Sequence, residues 1–100
     1  NGIDIGAPVG EPIYAALDGK VVFVGVQRGY GNVVLLEHDD FIITVYAHNE
    51  RNLVRLGDYV TKGQPIATVG QTGNASCPHL HFEYRVKGKA INPRDVIAEF

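Results

Sequence analysis

The sequence predicts an all-β domain, a mostly antiparallel β-sandwich or partly closed barrel with an open groove and very little helix. Two observations support this. Strand-like runs rich in β-branched residues recur about every 8 to 12 residues, and helical periodicity is nearly absent. A chain of 100 residues suits one modest core. We therefore expect residues 1–100 to form a single domain, and the abrupt opening at Asn1 suggests the C-terminal part of a longer protein.

The composition excludes several classes of protein. A hydrophobic fraction of 45% with twelve glycines fits a globular domain and not a disordered segment. Nine basic and eleven acidic residues give a net charge of −2 without a basic stripe, so we expect no nucleic-acid partner. No apolar run approaches the ~20 residues of a membrane-spanning helix, so we expect no transmembrane segment. The one cysteine, Cys77, says little about the compartment.

The first half of the chain predicts strands and two hairpins. Residues 2–5 alternate, so Asp4 points away from its apolar neighbours. Residues 12–17 and 20–26 flank the pair Asp18-Gly19, which predicts a hairpin. After a glycine-rich loop at residues 28–31, two apolar runs predict a second hairpin; they cover residues 32–38 and 41–48 and meet at Asp39-Asp40.

The second half predicts two more strands and two short helical pieces. Residues 49–56 are polar and suggest a helical turn, whereas residues 65–69 predict a strand. Residues 87–89 turn the chain after the strand that begins at His79. Asn92 followed by a proline is typical of an N-cap and first helical position, so we expect a short final helix.

A faint internal repeat links the two halves. The segment Gly10-Glu11-Pro12-Ile13 matches Gly63-Gln64-Pro65-Ile66, and each follows a Gly-x-x-Val turn. The repeat predicts two related β-motifs packed across each other. It does not select a function, because similar turns occur in carrier domains of other kinds.

The stretch Pro78-His79-Leu80-His81-Phe82-Glu83 contains the residues with the most obvious chemistry. As a strand it places His79, His81 and Glu83 on one face and the apolar side chains on the other. Imidazole is the commonest protein metal ligand and the usual acid or base near neutral pH. These two histidines therefore belong either to a metal-binding or catalytic site or to an ordinary pair of surface histidines on a half-exposed strand.

Three separated motifs decide between these alternatives. With Gly2-Ile3-Asp4, Tyr46-Ala47-His48 and the histidine strand in this order, the chain resembles the LytM and lysostaphin-type zinc metallopeptidases over nearly its whole length. Within that family it looks closest to NlpD-type domains. Supporting motifs are Arg28-Gly29-Tyr30-Gly31-Asn32, Gly57-Asp58, Gly63-Gln64, Thr72-Gly73 and Ile91-Asn92-Pro93.

The resemblance implies a zinc endopeptidase that cleaves peptide cross-links of bacterial peptidoglycan, in the periplasm, in the cell envelope or outside the cell. It implies Asp4 and His81 as metal ligands and His48 and His79 as catalytic residues. The family's first ligand, a histidine four positions before Asp4, would stand just ahead of Asn1. A catalytic zinc needs three such ligands and an open position for water, whose pKa it lowers.

The resemblance also implies an alternative function. In NlpD-type and EnvC-type relatives the metal site is often degenerate, and the domain binds and activates a cell-wall amidase. Those relatives commonly lose a histidine of the HxH pair, whereas His79 and His81 are both present here. The retained pair favours catalysis.

Five further residues carry weaker expectations. We predict Tyr30 and Asn32 at the substrate groove, although a packing role for Tyr30 is equally open. Glu83 would either orient a histidine from behind or be solvated. We predict His38, which matches no motif, to lie at the surface, and Cys77 to be a passive loop residue.

Overall fold

The computed structural model describes residues 2–39 and 41–93, and within them strands are almost the only regular structure. No helix in these ranges is long and apolar enough to cross a membrane. Along the described residues ten strands follow one another: β1 (Ile3–Gly6), β2 (Pro12–Tyr14), β3 (Gly19–Gln27), β4 (Gly31–Glu37), β5 (Ile42–Asn49), β6 (Arg51–Asn52), β7 (Tyr59–Val60), β8 (Pro65–Thr68), β9 (His79–Val86) and β10 (Lys89–Ile91).

The strands form two antiparallel sheets that do not close into a barrel. In the larger sheet the order is β1-β9-β5-β4-β3-β7, with β10 also beside β9. The smaller sheet has the order β2-β8-β6. The predicted all-β fold is therefore confirmed, as two sheets and not as a barrel.

One hydrophobic cluster joins the two sheets. The larger sheet contributes Leu36, Tyr46 and Phe82, and the smaller sheet contributes Ile13 and Ile66, all of them at most 3% exposed. Alternation along each strand sends these side chains inward. Along β9, His79 and His81 alternate with Leu80 and Phe82. Because Phe82 is buried in this cluster, the two histidines lie on the outer face of the larger sheet.

Of the two predicted hairpins, one is confirmed and one is wrong. β4 pairs with β5 in antiparallel orientation, as the second predicted hairpin requires. The hairpin about Asp18-Gly19 does not form, because β2 pairs with β8 and β3 pairs with β4 and β7. The amide of Ala15 donates to the carbonyl of Gln64, which commits this segment to the smaller sheet before the chain crosses to the larger one.

The internal repeat corresponds to two strands that pair with each other, β2 and β8. Pro12 and Ile13 lie opposite Thr68 and Ala67 in the antiparallel pair β2–β8. The flanking amides of Gly10 and Val69 extend this ladder. The strands that begin in the two matching segments are thus neighbours in the smaller sheet, with β2 at its edge and β8 at its centre.

The helical turn expected at residues 49–56 is wrong. This segment forms β6 instead, because its backbone hydrogen-bonds to β8. The amides of Glu50 and Leu53 donate to the carbonyls of Thr68 and Ile66. The sequence of this polar stretch contains no pattern that predicts a strand. The expected final helix involves residues 94–100, which lie outside the described residues.

His38, which we predicted to lie at the surface, is partly exposed, and both of its ring nitrogens have hydrogen-bond partners. Its Nδ1 lies 2.6 Å from the carbonyl oxygen of Asp18, and its Nε2 lies 2.7 Å from the hydroxyl of Thr44. The same hydroxyl lies 2.8 Å from the hydroxyl of Tyr46, which accepts a hydrogen bond from the amide of Ala16. These hydrogen bonds connect residues 16–18, where the chain passes from the smaller sheet to the larger one, to Thr44 and Tyr46 of β5.

We expect Tyr46→Phe to destabilise the domain by about 1–3 kcal/mol, because it leaves the Ala16 amide without an acceptor. Burial raises the pKa of Tyr46 from 10.0 to about 12. A raised folded-state pKa stabilises the protein fully below pH 10, and this contribution is lost as the pH rises through about 12. The wild-type free energy of unfolding should fall about 1.4 kcal/mol per pH unit more steeply than that of the variant in this window.

Urea unfolding of both proteins at several pH values measures this difference. Comparing the two proteins cancels the titration of the remaining tyrosines. Parallel pH profiles would contradict the assignment of the effect to Tyr46.

Candidate metal and catalytic site

The register between β1 and β9 brings Asp4 and His81 together. The two residues are directly opposite each other, so their side chains leave the sheet on the same face. Nδ1 of His81 lies 2.7 Å from Oδ1 of Asp4. Nε2 of His79 is 3.6 Å from the same oxygen. Residues 75 or more positions apart in sequence thus converge on one carboxylate.

His48 reaches this cluster from the neighbouring strand. β5 pairs with β9, and Ala47 lies opposite His81. The ring centroid of His48 lies 4.9 Å from that of His79 and 6.0 Å from that of His81. β9 thus lies directly beside the strand that carries His48.

His48 adopts an unusual backbone conformation. Its φ of 64° lies in the left-handed region that residues other than glycine rarely occupy. The amide of His48 donates to the carbonyl of Tyr30, which helps to hold this conformation. Strain of this kind is retained where the surrounding structure requires one side-chain direction, and here that direction is towards the other histidines.

Backbone carbonyls fix the protons of two histidines. Nδ1 of His48 lies 2.7 Å from the carbonyl oxygen of Thr72, and Nδ1 of His79 lies 2.8 Å from that of Cys77. A carbonyl only accepts, so both Nδ1 atoms must carry a hydrogen. In the neutral rings Nε2 is then the basic nitrogen. Cys77 itself is exposed and contributes only its main chain.

Two glycines allow the loops beside His48 to touch. Gly31 and Gly73 both have positive φ, of 67° and 72°. A Cβ on Gly31 would lie 2.5 Å from atoms of Thr72, and a Cβ on Gly73 would lie 2.5 Å from the amide nitrogen of Gly31. The contact brings the Thr72 carbonyl within reach of His48. A groove follows these loops and is lined by Arg28, Gly29, Tyr30, His48, Asn74 and His81.

The two residues predicted for the groove have different surroundings. Tyr30 lines it, and its hydroxyl also donates to Oε2 of Glu83 at 2.8 Å. The side-chain amide of Asn32 donates to the carbonyls of Asn49 and Glu50. Asn32 therefore ties the loop to the end of β5, and its assignment to the groove stays a prediction.

Glu83 is buried behind the cluster, with 2% of its surface exposed. Its Oε2 accepts from Nε2 of His81 at 2.8 Å, and its Oε1 accepts from Nε of Arg85 at 2.8 Å. Burial acts to raise the pKa of Glu83, but hydrogen bonds from His81, Tyr30 and Arg85 outweigh it and the pKa is lowered. The sequence placed Glu83 on this face but gave no sign that Arg85 and Tyr30 would hold it.

Asp4 has the opposite environment. Its side chain is 65% exposed, and the hydrogen bond with His81 lowers its pKa, against a small opposing effect of burial. The carboxylate is therefore ionised at neutral pH and accessible to solvent. An accessible carboxylate beside an imidazole is suited to a cation.

The donor types fit a zinc ion, which prefers nitrogen and oxygen ligands in catalytic sites. Asp4 and His81 are the residues that would hold it, because their facing atoms, Oδ1 and Nδ1, are an oxygen and a nitrogen ligand of the kind that zinc binds. Within residues 2–39 and 41–93 there is no cluster of three or more histidine, cysteine, aspartate or glutamate side chains arranged for a metal. The described residues thus supply two ligands of the expected three.

The fold and the site define a class: a β-sheet domain with a histidine–carboxylate cluster beside an open groove, the arrangement that the LytM-type resemblance predicts. The model of peptidase family M23 matches residues 1–93. The chain belongs to this family.

Three curated relatives are similar over most of the chain. The uncharacterized lipoprotein YgeR of Escherichia coli is 55% identical over 92% of this chain and 37% of its own length. The murein hydrolase activator NlpD of the same species is 50% identical over 92% of this chain and 24% of its own length. The peptidoglycan DD-endopeptidase ShyC of Vibrio cholerae is 46% identical over 95% and 22%. The chain thus spans between about a fifth and two fifths of the length of these relatives.

Among solved structures, the antimicrobial peptidase lysostaphin from Staphylococcus simulans superposes with a TM-score of 0.93. It is 34% identical, over 98% of this chain and 43% of that one. The same fold is therefore found in a peptidase.

Proposed function

We propose that this domain is a zinc-dependent endopeptidase that hydrolyses peptide cross-links of bacterial peptidoglycan, in the periplasm or elsewhere in the cell envelope. The observation that carries the proposal is the position of His48 and His79 beside the Asp4–His81 pair. A domain that only binds a partner has no chemical need for two further histidines at this point. The similarity to ShyC and lysostaphin supports the same conclusion.

The residues of the site have distinct roles in this mechanism. When bound by Asp4 and His81, zinc supplies a Lewis acid and lowers the pKa of its water. Nε2 is the basic nitrogen of both His48 and His79. One of them would take a proton from the nucleophile, and the other, when protonated at Nε2, would donate a hydrogen bond to the attacked carbonyl oxygen and so stabilise its charge. The groove beside Tyr30 holds the peptide.

A second candidate function is supported by a specific similarity. NlpD, 50% identical to this chain, is a murein hydrolase activator. The two-ligand set of the described residues is also what a degenerate metal site would show. On this alternative the groove binds a cell-wall amidase and the domain cleaves nothing itself. The retained histidines make us prefer the enzyme.

Incubating purified sacculi with the protein, together with any residues that precede Asn1 in its parent gene, separates the two functions. The endopeptidase should release soluble fragments with new peptide ends, and a zinc chelator should abolish the release. The activator should release nothing alone but should increase release by an added amidase, with or without chelator treatment of the domain. This second pattern would overturn the proposed function.

A further inference from the structure

We propose that Glu83 is a positioning residue for His81: it takes the Nε2 proton and so leaves the Nδ1 lone pair facing Asp4. The inference rests on the proposed function, because it assigns the metal-binding side of His81. The ring lies between two carboxylates, with Nε2 at 2.8 Å from Glu83 and Nδ1 at 2.7 Å from Asp4. The two carboxylate side chains differ sharply in exposure: Glu83 is 3% exposed and Asp4 is 65% exposed.

Two neighbours hold the Glu83 carboxylate in place. Arg85 donates to Oε1 through Nε at 2.8 Å and through Nη2 at 2.6 Å. The hydroxyl of Tyr30 donates to Oε2 at 2.8 Å and accepts from Nη2 of Arg85 at 3.1 Å. A carboxylate surrounded by donors presents only lone pairs to His81. The ring nitrogen that faces it therefore carries a hydrogen. Because the Glu83 side chain is 3% exposed and that of Asp4 is 65% exposed, the attraction is less screened on the Glu83 side, and a ring with a single proton keeps it there.

The consequence appears on the other side of the ring. When His81 carries one proton and Glu83 takes it, Nδ1 and the Asp4 oxygen face each other with lone pairs only. Two such atoms 2.7 Å apart repel each other unless a proton or a cation lies between them. Glu83 thereby favours a cation at this point. Hydrogen bonds behind a metal-binding histidine commonly act in this way.

The alternative is that Glu83 and Arg85 form a purely structural ion pair. That pair would stabilise β9 in the same way, but it would not depend on which nitrogen of His81 carries the hydrogen. The position of this proton therefore distinguishes a positioning role from a structural one.

The first test needs no substitution. Nitrogen-15 NMR of the histidine side chains reports which ring nitrogen is protonated. In metal-free wild-type protein, at a pH where the His81 ring carries one proton, we expect the hydrogen on Nε2. A hydrogen on Nδ1 would overturn the proposal. The measurement uses neither zinc nor substrate, so the absence of hydrolysis would refute the proposed function and leave this result unaffected.

The second test is Glu83→Gln. Arg85 has only donors, so the new amide oxygen should turn to Arg85 and its NH₂ group should face His81. His81 can then only accept at Nε2, and its hydrogen should move to Nδ1. We expect zinc affinity, measured by competition with a chelator, to fall about 10- to 100-fold.

Glu37→Gln is the matched control, because Glu37 is an exposed residue of β4 away from the cluster. It should keep the wild-type affinity and tautomer. A folded Glu83→Gln protein with the hydrogen still on Nε2 and unchanged zinc affinity would overturn the proposal. If this variant does not fold, Tyr30→Phe removes one of the donors to Glu83 and should weaken zinc severalfold; unchanged affinity would again count against the proposal.

Discussion

Replacing His79 with alanine is expected to lower the rate of peptidoglycan hydrolysis by about 10²- to 10⁴-fold, the range for loss of a general acid or base. Its Nδ1 hydrogen is held by the carbonyl of Cys77, so the basic Nε2 faces the Asp4–His81 pair. His48→Ala should have an effect of similar size, because the Thr72 carbonyl fixes the same tautomer in that ring. Release of fragments from sacculi measures both rates.

Zinc content is the decisive control for these two variants. Neither histidine is assigned as a ligand, so both variants should retain the zinc stoichiometry of the wild type. Leu56→Ala, at a residue 69% exposed, serves as a substitution that should leave the rate unchanged. Wild-type rates in His79→Ala and His48→Ala would reject the catalytic assignment.

Replacing His81 with alanine should have the opposite signature. It removes one of two ligands among the described residues, so we expect zinc binding to be lost together with all chelator-sensitive hydrolysis. Asp4→Ala should behave in the same way, since its carboxylate oxygen faces the same imidazole. Metal analysis of purified proteins, after dialysis against zinc and then against metal-free buffer, measures the loss.

The comparison of the variants makes this prediction specific. His79→Ala should lose activity and keep zinc, whereas His81→Ala should lose both. Circular dichroism should show that His81→Ala remains folded, because the strand is anchored by the buried Phe82 and Tyr84 on its other face. Unchanged zinc stoichiometry in a folded His81→Ala protein would reject Asp4 and His81 as the metal site.

The sequence alone determined the all-β fold and the outward face of β9, because alternation is a local property. Once Leu80 and Phe82 need a core, His79, His81 and Glu83 must lie opposite it. Family motifs then named the same residues that the structure brings together. What local pattern could not decide was which strands pair: the Asp18-Gly19 signal predicted a hairpin, but β2 joins β8.

Tertiary structure alone decided the partners of individual side chains. The pairing of β1 with β9 aligns Asp4 with His81, and the loop contact at Gly31 and Gly73 sets the proton of His48. Long-range hydrogen bonds likewise connect His38 to Asp18 and Tyr30 to Glu83. Such bonds depend on positions in space, and residues 53 positions apart leave no periodicity in the sequence from which to predict them.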